Sequence, residues 1–258
     1  MAESNEGRIE VRDEGQVRTL TIDRPARRNA LTAAMYGALA DALESLGGED
    51  GPRVVLLRSS GESFCAGNDL DDFLERAGEQ GVIGADSPQG RLIHALAALE
   101  RPLVAAVDGA AIGIGFTALL HADLVVATHR ASFGAPFAPL GLCPEAGSSE
   151  LLPARVGRAL AMEIFLLGRR LSAEEALARG LVNRLVAPEA LDAIARECAD
   201  ALAALPVRAV AETRRLVDAA PEPIGARIDR ELAAFSGCLG ERETRARIEA
   251  VRSRTSKG

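Results

Sequence analysis

The chain has 258 residues, 48% of them apolar and 26% charged, which excludes a disordered polymer and gives enough length to bury a core without disulfides or a structural metal. A net charge of −7 and a pI near 5.2 exclude electrostatic capture of nucleic acid or of an anionic membrane. Seven phenylalanines, one tyrosine and no tryptophan leave too few rings for a base-stacking surface. The length fits one large α/β domain with an appendage.

Cys65, Cys143, Cys198 and Cys238 are scattered without C-x-x-C spacing, as expected for free thiols in a reducing cytoplasm. Met1 to Arg12 is polar and charged, unlike a signal peptide. The longest apolar run, Gly109 to Leu120, is shorter than the ~18 residues a membrane span needs. Ser256-Lys257-Gly258 is one residue away from a peroxisomal address, and a cytoplasmic location is expected.

In chain order, Val17 to Ile22 alternates as a half-exposed strand. Leu31, Met35, Leu39, Leu43 and Leu46 recur with helical spacing and stop at Gly47-Gly48. Val54 to Leu57 reads as a buried strand, followed by a polar loop from Ser59 to Asp69. Residues 71–91, with Gly78, Gly81, Gly84 and Pro88, carry no clear period and are expected to form a mobile flap. Leu92, Ala95, Leu96 and Leu99 mark a helix, Leu103 to Val107 a strand, and Asp123 to Ala127 a third buried strand. Strands alternating with helices predict an α/β fold with mainly parallel pairing. Beyond Gly157 helices dominate. Ser172-Ala-Glu-Glu175 is a capping box, and Ile224, Ile228, Leu232, Phe235 and Leu239 form an apolar stripe.

Two glycine-rich loops follow buried strands: Ser63-Phe-Cys-Ala-Gly-Asn-Asp-Leu70 and Asp108-Gly-Ala-Ala-Ile-Gly-Ile-Gly115. Such loops let backbone N–H groups approach a ligand, and two of them converging on one carbonyl oxygen make an oxyanion hole. They also suit ordinary tight turns. Gly113-Ile-Gly115-Phe-Thr-Ala118 matches a dinucleotide fingerprint, but it is separated from its strand, and no acid follows the next strand to hold a ribose. Pro144 is expected to open a helix with Glu145 in its first turn. An acid there suits the helix dipole; facing an apolar cleft it would instead be a base with a raised pKa. His94, His121 and His129 lack metal-ligand spacing, Ser148-Ser149 suits local hydrogen bonding, and Asp123 suits a structural role.

Thr21-Ile-Asp-Arg-Pro25, Asn29-Ala-Leu31, Phe64-Cys-Ala-Gly-Asn-Asp69, Ala105-Ala-Val-Asp-Gly-Ala110, Ala122-Asp-Leu124, Ser132-Phe-Gly134, Pro139-Leu-Gly141 and Gly168-Arg-Arg-Leu-Ser-Ala-Glu-Glu-Ala176 together resemble the enoyl-CoA hydratase/isomerase (crotonase) superfamily. The resemblance runs from about residue 8 to 255. It implies a spiral of β-β-α turns over residues 1–190 and a helical trimerisation region over 191–258, assembled as a homotrimer or a hexamer. It implies an acyl-CoA ligand, with coenzyme A as part of the substrate and no separate cofactor or metal. The thioester oxygen would lie between the N–H groups of Asn68 and Ile114. Ala66, Gly67, Asn68, Asp69 and Leu70 would contact adenine and pantetheine, Arg27 or Arg28 the phosphates, and Gly113, Thr117 and Phe137 the rest of the substrate site.

Hydratases of this superfamily use two glutamates, and Thr117 and Phe137 stand at those places here. Neither side chain ionises. Gly67-Asn-Asp-Leu70, Ala111 to Ile114 with Thr117, and Pro144-Glu-Ala-Gly-Ser-Ser149 instead resemble the monofunctional Δ3,Δ2-enoyl-CoA isomerases of the peroxisomal type, which implies Glu145 as the single catalytic base. The alternatives are a hydratase in which Glu145 works through a bound water, and an acyl-CoA-binding relative without turnover.

Overall fold

The computed structural model describes residues 7–48, 51–80 and 84–255. They fall into two units that divide between Asp200 and Ala201. The strands, all in the first unit, are β1 (Arg8–Glu14), β2 (Val17–Asp23), β3 (Val54–Ser59), β4 (Leu103–Val107), β5 (Ala110–Ile112), β6 (Leu124–Thr128), β7 (Ser132–Gly134), β8 (Leu171–Ser172) and β9 (Arg184–Val186). The helices of that unit are α1 (Ala33–Glu44), α2 (Leu70–Gln80), α3 (Pro88–Ala97), α4 (Ile114–Thr117), α5 (Ser148–Val156), α6 (Arg158–Leu167), α7 (Ala173–Ala178) and most of α8 (Leu191–Ala203).

The larger sheet has the order β1-β2-β3-β4-β6-β9 and is parallel from β2 onward. β3 and β4 are buried along nearly their whole length, as strands covered on both faces must be. β1 was not anticipated, because its alternating charges hide the strand period; it pairs antiparallel with β2 from Arg8↔Asp23 to Glu14↔Val17. As an edge strand it can carry those charges in solvent, and they discourage pairing with another chain. A second sheet, β5-β7-β8, is built from strands too short to show a period.

α1 starts where Thr32 accepts the N–H of Met35, an N-cap that places Met35, Tyr36, Leu39 and Leu43 in the core beside Leu92 and Leu96 of α3. Burying a side chain of this size contributes about 1.5–3 kcal/mol. The expected flap is in part helical. Asp69 accepts the N–H groups of Asp71 and Asp72 at 3.1 Å and so caps α2, which continues to Gln80. Residues 81–83 lie outside the described set, and Ser87 caps α3 by accepting the N–H of Gly90.

The boundary expected at 190/191 moves to the far part of α8. Leu191, Ala195, Cys198 and Ala199 are buried, while Asp192 pairs with Arg58 at 2.9 Å and Arg196 with Glu14 at 2.8 Å. These contacts tie the helix to the first unit. The second unit holds α9 (Val207–Val217), α10 (Ile224–Gly240) and α11 (Arg242–Thr255), with Arg208 paired to Glu241 at 2.7 Å. The stripe on α10 is real and exposed: Ile224, Leu232 and Phe235 are at least 59% accessible.

Candidate active site

The polar loop after β3 is laced to the chain on both sides. Cys65 donates its N–H to Ala110 and accepts from Ile112, at 2.9 and 2.8 Å. Gly67 accepts the N–H of Leu31 at 2.8 Å, and Asp69 donates to Leu31 at 2.9 Å. Asn29, fully buried at φ 58, accepts the N–H of Arg24 and donates to the carbonyls of Ser60 and Ser63, each at 2.7 Å. The turn after β2 therefore grips the loop that follows β3.

This register decides which N–H groups are left over. Because Leu31 pairs with the residues flanking Asn68, the N–H of Asn68 points away from Leu31. Ile114 is the first residue of α4, so its N–H has no partner within the helix. The two loops meet glycine to glycine. A Cβ on Gly113 would lie 3.7 Å from the Cα of Gly67, and one on Gly67 only 3.1 Å from the carbonyl oxygen of Ile112. Gly67 (φ 97) and Gly113 (φ 56, ψ −126) adopt conformations that residues with a Cβ avoid.

Beside these loops lies a cleft of 520 Å³ whose lining includes Arg27, Arg28, Ala66 to Asp71, Gly113, Phe137 and Glu145. Ile114 and Thr117, expected at the site, are not among its lining residues, and both are buried. The lining also includes Pro136, Leu140 and Leu142, whose apolar character in the sequence points to an apolar setting for Glu145, together with Phe73 and Ile112, and these make one wall apolar.

Glu145 is half-buried against that wall, and burial pushes its carboxyl up to about 7, with the Thr117 hydroxyl pulling weakly the other way from 3.5 Å. Pro144 does not open a helix. Ala146 (φ 53) and Gly147 (φ 67) are both left-handed, so α5 begins only at Ser148 and Glu145 sits in a loop. The helix dipole therefore does not account for this acid. Ser148 is fully buried and its Oγ makes no hydrogen bond among the described residues, unlike the local bond expected of it.

Two other acids border the cleft, and both are engaged. Asp69 is 5% exposed and meets the Arg24 guanidinium at 2.6 Å. Burial alone would raise its carboxyl, but the N–H of Asp72, the Arg24 hydrogen bond and the charges of Arg24 and Arg27 together hold it below the ordinary value. Asp69 thus caps a helix and pairs with arginines, which leaves its carboxylate committed to the fold. Asp71 pairs with Arg27 at 2.7 Å. Arg28, left-handed at φ 51, lines the cleft and makes no ion pair among the described residues.

Tyr36 was missed as a site residue, although a lone tyrosine on the core face of a helix needs a partner for its hydroxyl. Here it donates to Oδ1 of Asn68. Burial, then the charge of Glu145, raise its pKa well above 10, so it stays a donor. Cys65 is likewise pushed up to about 12 by burial and is a thiol rather than a nucleophile. Asp123 accepts the N–H of Leu103 at 2.7 Å, the structural role expected of it. Among the described residues no cluster of His, Cys, Asp and Glu could hold a metal ion, and no helix is long and apolar enough to cross a membrane.

Comparison with known proteins decides the lineage: residues 12–244 match the profile described as enoyl-CoA hydratase/isomerase. The chain belongs to the enoyl-CoA hydratase/isomerase family. Its fold is the crotonase fold, an α/β spiral followed by a helical C-terminal region. It is 37% identical to the 1,2-epoxyphenylacetyl-CoA isomerase of Escherichia coli (strain K12), over 79% of each chain. It is 36% identical to enoyl-CoA delta isomerase 2 of Rattus norvegicus, over 69% of this chain and 46% of the rat protein. A solved enoyl-CoA hydratase from Polaromonas sp. JS666 superposes with a TM-score of 0.88 at 31% identity, covering 96% of this chain and 98% of that one. Against this family background, Phe137 occupies the cleft wall, 7% exposed, with its ring 6.0 Å from that of Phe165. Thr117 has its hydroxyl on Glu145.

Proposed function

We propose that the chain is a Δ3,Δ2-enoyl-CoA isomerase that works with one base and one oxyanion hole. One observation carries this reading: a half-buried carboxylate poised near pH 7 borders the same cleft as the Asn68 and Gly113 loops, while the neighbouring acids Asp69 and Asp71 are tied to arginines. A base is most useful when its pKa lies near the working pH.

In the reaction, Glu145 removes a proton from C2 of a 3-enoyl-CoA. The electron pair spreads over a dienolate, and the charge on the thioester oxygen is met by the N–H groups of Asn68 and Ile114. One such donor is worth about 10²–10³ in rate. The carboxylic acid then returns the proton to C4, so that the C3=C4 double bond becomes C2=C3 and Glu145 is ionised again. Every atom is conserved and no water is consumed. Hydration would need a second group to activate water, and Thr117 and Phe137 supply none.

The cleft's apolar wall suits a hydrocarbon acyl chain, and Arg28 suits a phosphate of coenzyme A. The implied assembly of three or six chains belongs to the same proposal, and light scattering of the purified protein checks it. The deciding experiment measures isomerisation of trans-3-hexenoyl-CoA and hydration of crotonyl-CoA side by side. Isomerisation is expected to dominate, and E145Q to lower its kcat by about 10²–10⁴. Hydration outrunning isomerisation, or E145Q at the wild-type rate, refutes the reading.

A further inference from the structure

We propose that His121 is a positioning residue for this reaction: its ring holds the main chain of the turn that carries Glu145. The inference rests on Glu145 being the base, and the turn itself is its starting point. Ala146 is buried at φ 53, a conformation that is strained for a residue with a Cβ and survives only where its surroundings impose it. The carbonyl oxygen of Ala146 lies 2.9 Å from Nε2 of His121. A carbonyl can only accept, so Nε2 carries the proton and donates. On its other flank the turn is closed by the N–H of Ser148, which donates to the carbonyl of Glu145 at 2.9 Å.

His121 ends the short 3₁₀ run Ala118–His121, which continues directly from α4. One uninterrupted helical segment therefore begins with the Ile114 N–H, passes Thr117 with its hydroxyl 3.5 Å from the Glu145 carboxylate, and finishes with His121 on the adjoining peptide. It works as a ruler between the oxyanion site and the base. Thr117 touches the carboxylate, while His121 fixes the backbone from which that carboxylate hangs. Without the His121 donor, the Glu145 turn is free to relax out of its left-handed pair, and the carboxylate loses its distance from the thioester. Misplacement by about 1 Å is enough to slow a reaction 10²-fold.

The test compares H121L, H121Q and E145Q on trans-3-hexenoyl-CoA, with thermal midpoints measured alongside. Glutamine is chosen because its side-chain amide N–H reaches about as far as Nε2–H. H121L is expected to lower kcat about 10–100-fold with KM changed less than about threefold, because His121 does not line the cleft. H121Q is expected to restore most of the rate. H121L at the wild-type rate, or H121Q as slow as H121L, overturns the proposal. Should H121L not fold, H121N, whose shorter amide falls short of Ala146, takes its place, and a folded H121N at the wild-type rate also overturns it. An active E145Q brings down the functional reading and this one together. An inactive E145Q beside an unimpaired H121L brings down only this one.

Discussion

Replacing Glu145 with Gln should make the protein more stable at neutral pH while removing its catalysis. Burial raises the carboxyl from its ordinary 4.5 to about 7 in the folded chain. Below pH 4.5 both folded and unfolded chains hold this proton, and the group contributes no pH dependence. Between 4.5 and 7 the unfolded chain releases it and the folded chain keeps it, so stability falls as pH rises; above 7 both are ionised and the loss is complete. At about 1.4 kcal/mol per pH unit, the gap amounts to roughly 3 kcal/mol. Glutamine keeps the shape and can still accept from Thr117, but it has no charge to desolvate. Denaturant melts of wild type and E145Q at pH 5 and pH 8 should give a difference that grows toward that size in favour of the variant. A difference that does not change with pH, or a variant less stable at pH 8, would refute the assignment of a buried, desolvated base.

Four further predictions concern the same site. T117V removes the hydroxyl that lowers the Glu145 pKa, so the rising limb of kcat/KM against pH, centred near 7 in wild type, should move to higher pH; a limb that stays in place counts against the contact. G115A puts a Cβ 2.6 Å from the carbonyl oxygen of Cys65, so the two loops must separate; a loss of about 1–3 kcal/mol in denaturant melts and a lower kcat are expected. R24M leaves Asp69 buried without its nearest counter-charge and should cost about 3–5 kcal/mol, since breaking a buried pair strands an ion. Asp69 has a lowered pKa, so the stability it contributes in wild type is present at neutral pH and fades as the solution is acidified; this acid sensitivity should shrink in D69N.

Much of the large sheet could be read from continuous apolar runs such as Val54 to Leu57 and Leu103 to Val107, because strands buried on both faces leave an unbroken signal. β5, β7 and β8 left none, since three residues or fewer cannot display a period. The cleft loops could be recognised by their glycines and by resemblance, and Arg27, Arg28, Gly67, Asn68, Gly113, Phe137 and Glu145 do come together. What stayed hidden depends on three-dimensional neighbours. Asp69 lines the cleft, but its pairing with Arg24, 45 positions earlier in the chain, has no local signal. Glu145 looked like a helix-terminal acid until the left-handed Ala146 and Gly147 delayed α5. No local rule points from His121 to a carbonyl 25 residues later.

The loop carrying Asn68 is stitched by main-chain bonds to Leu31 on one side and to Ala110 and Ile112 on the other. On the proposed reading this loop is the electrophile clamp, and one whose backbone is paired on both sides tolerates many changes among the side chains facing the cleft. Mutation can then exchange the side chains around it, here Thr117, Phe137 and Glu145, without loosening it. New chemistries become reachable by small steps from a common ancestor, each intermediate still able to grip the same carbonyl.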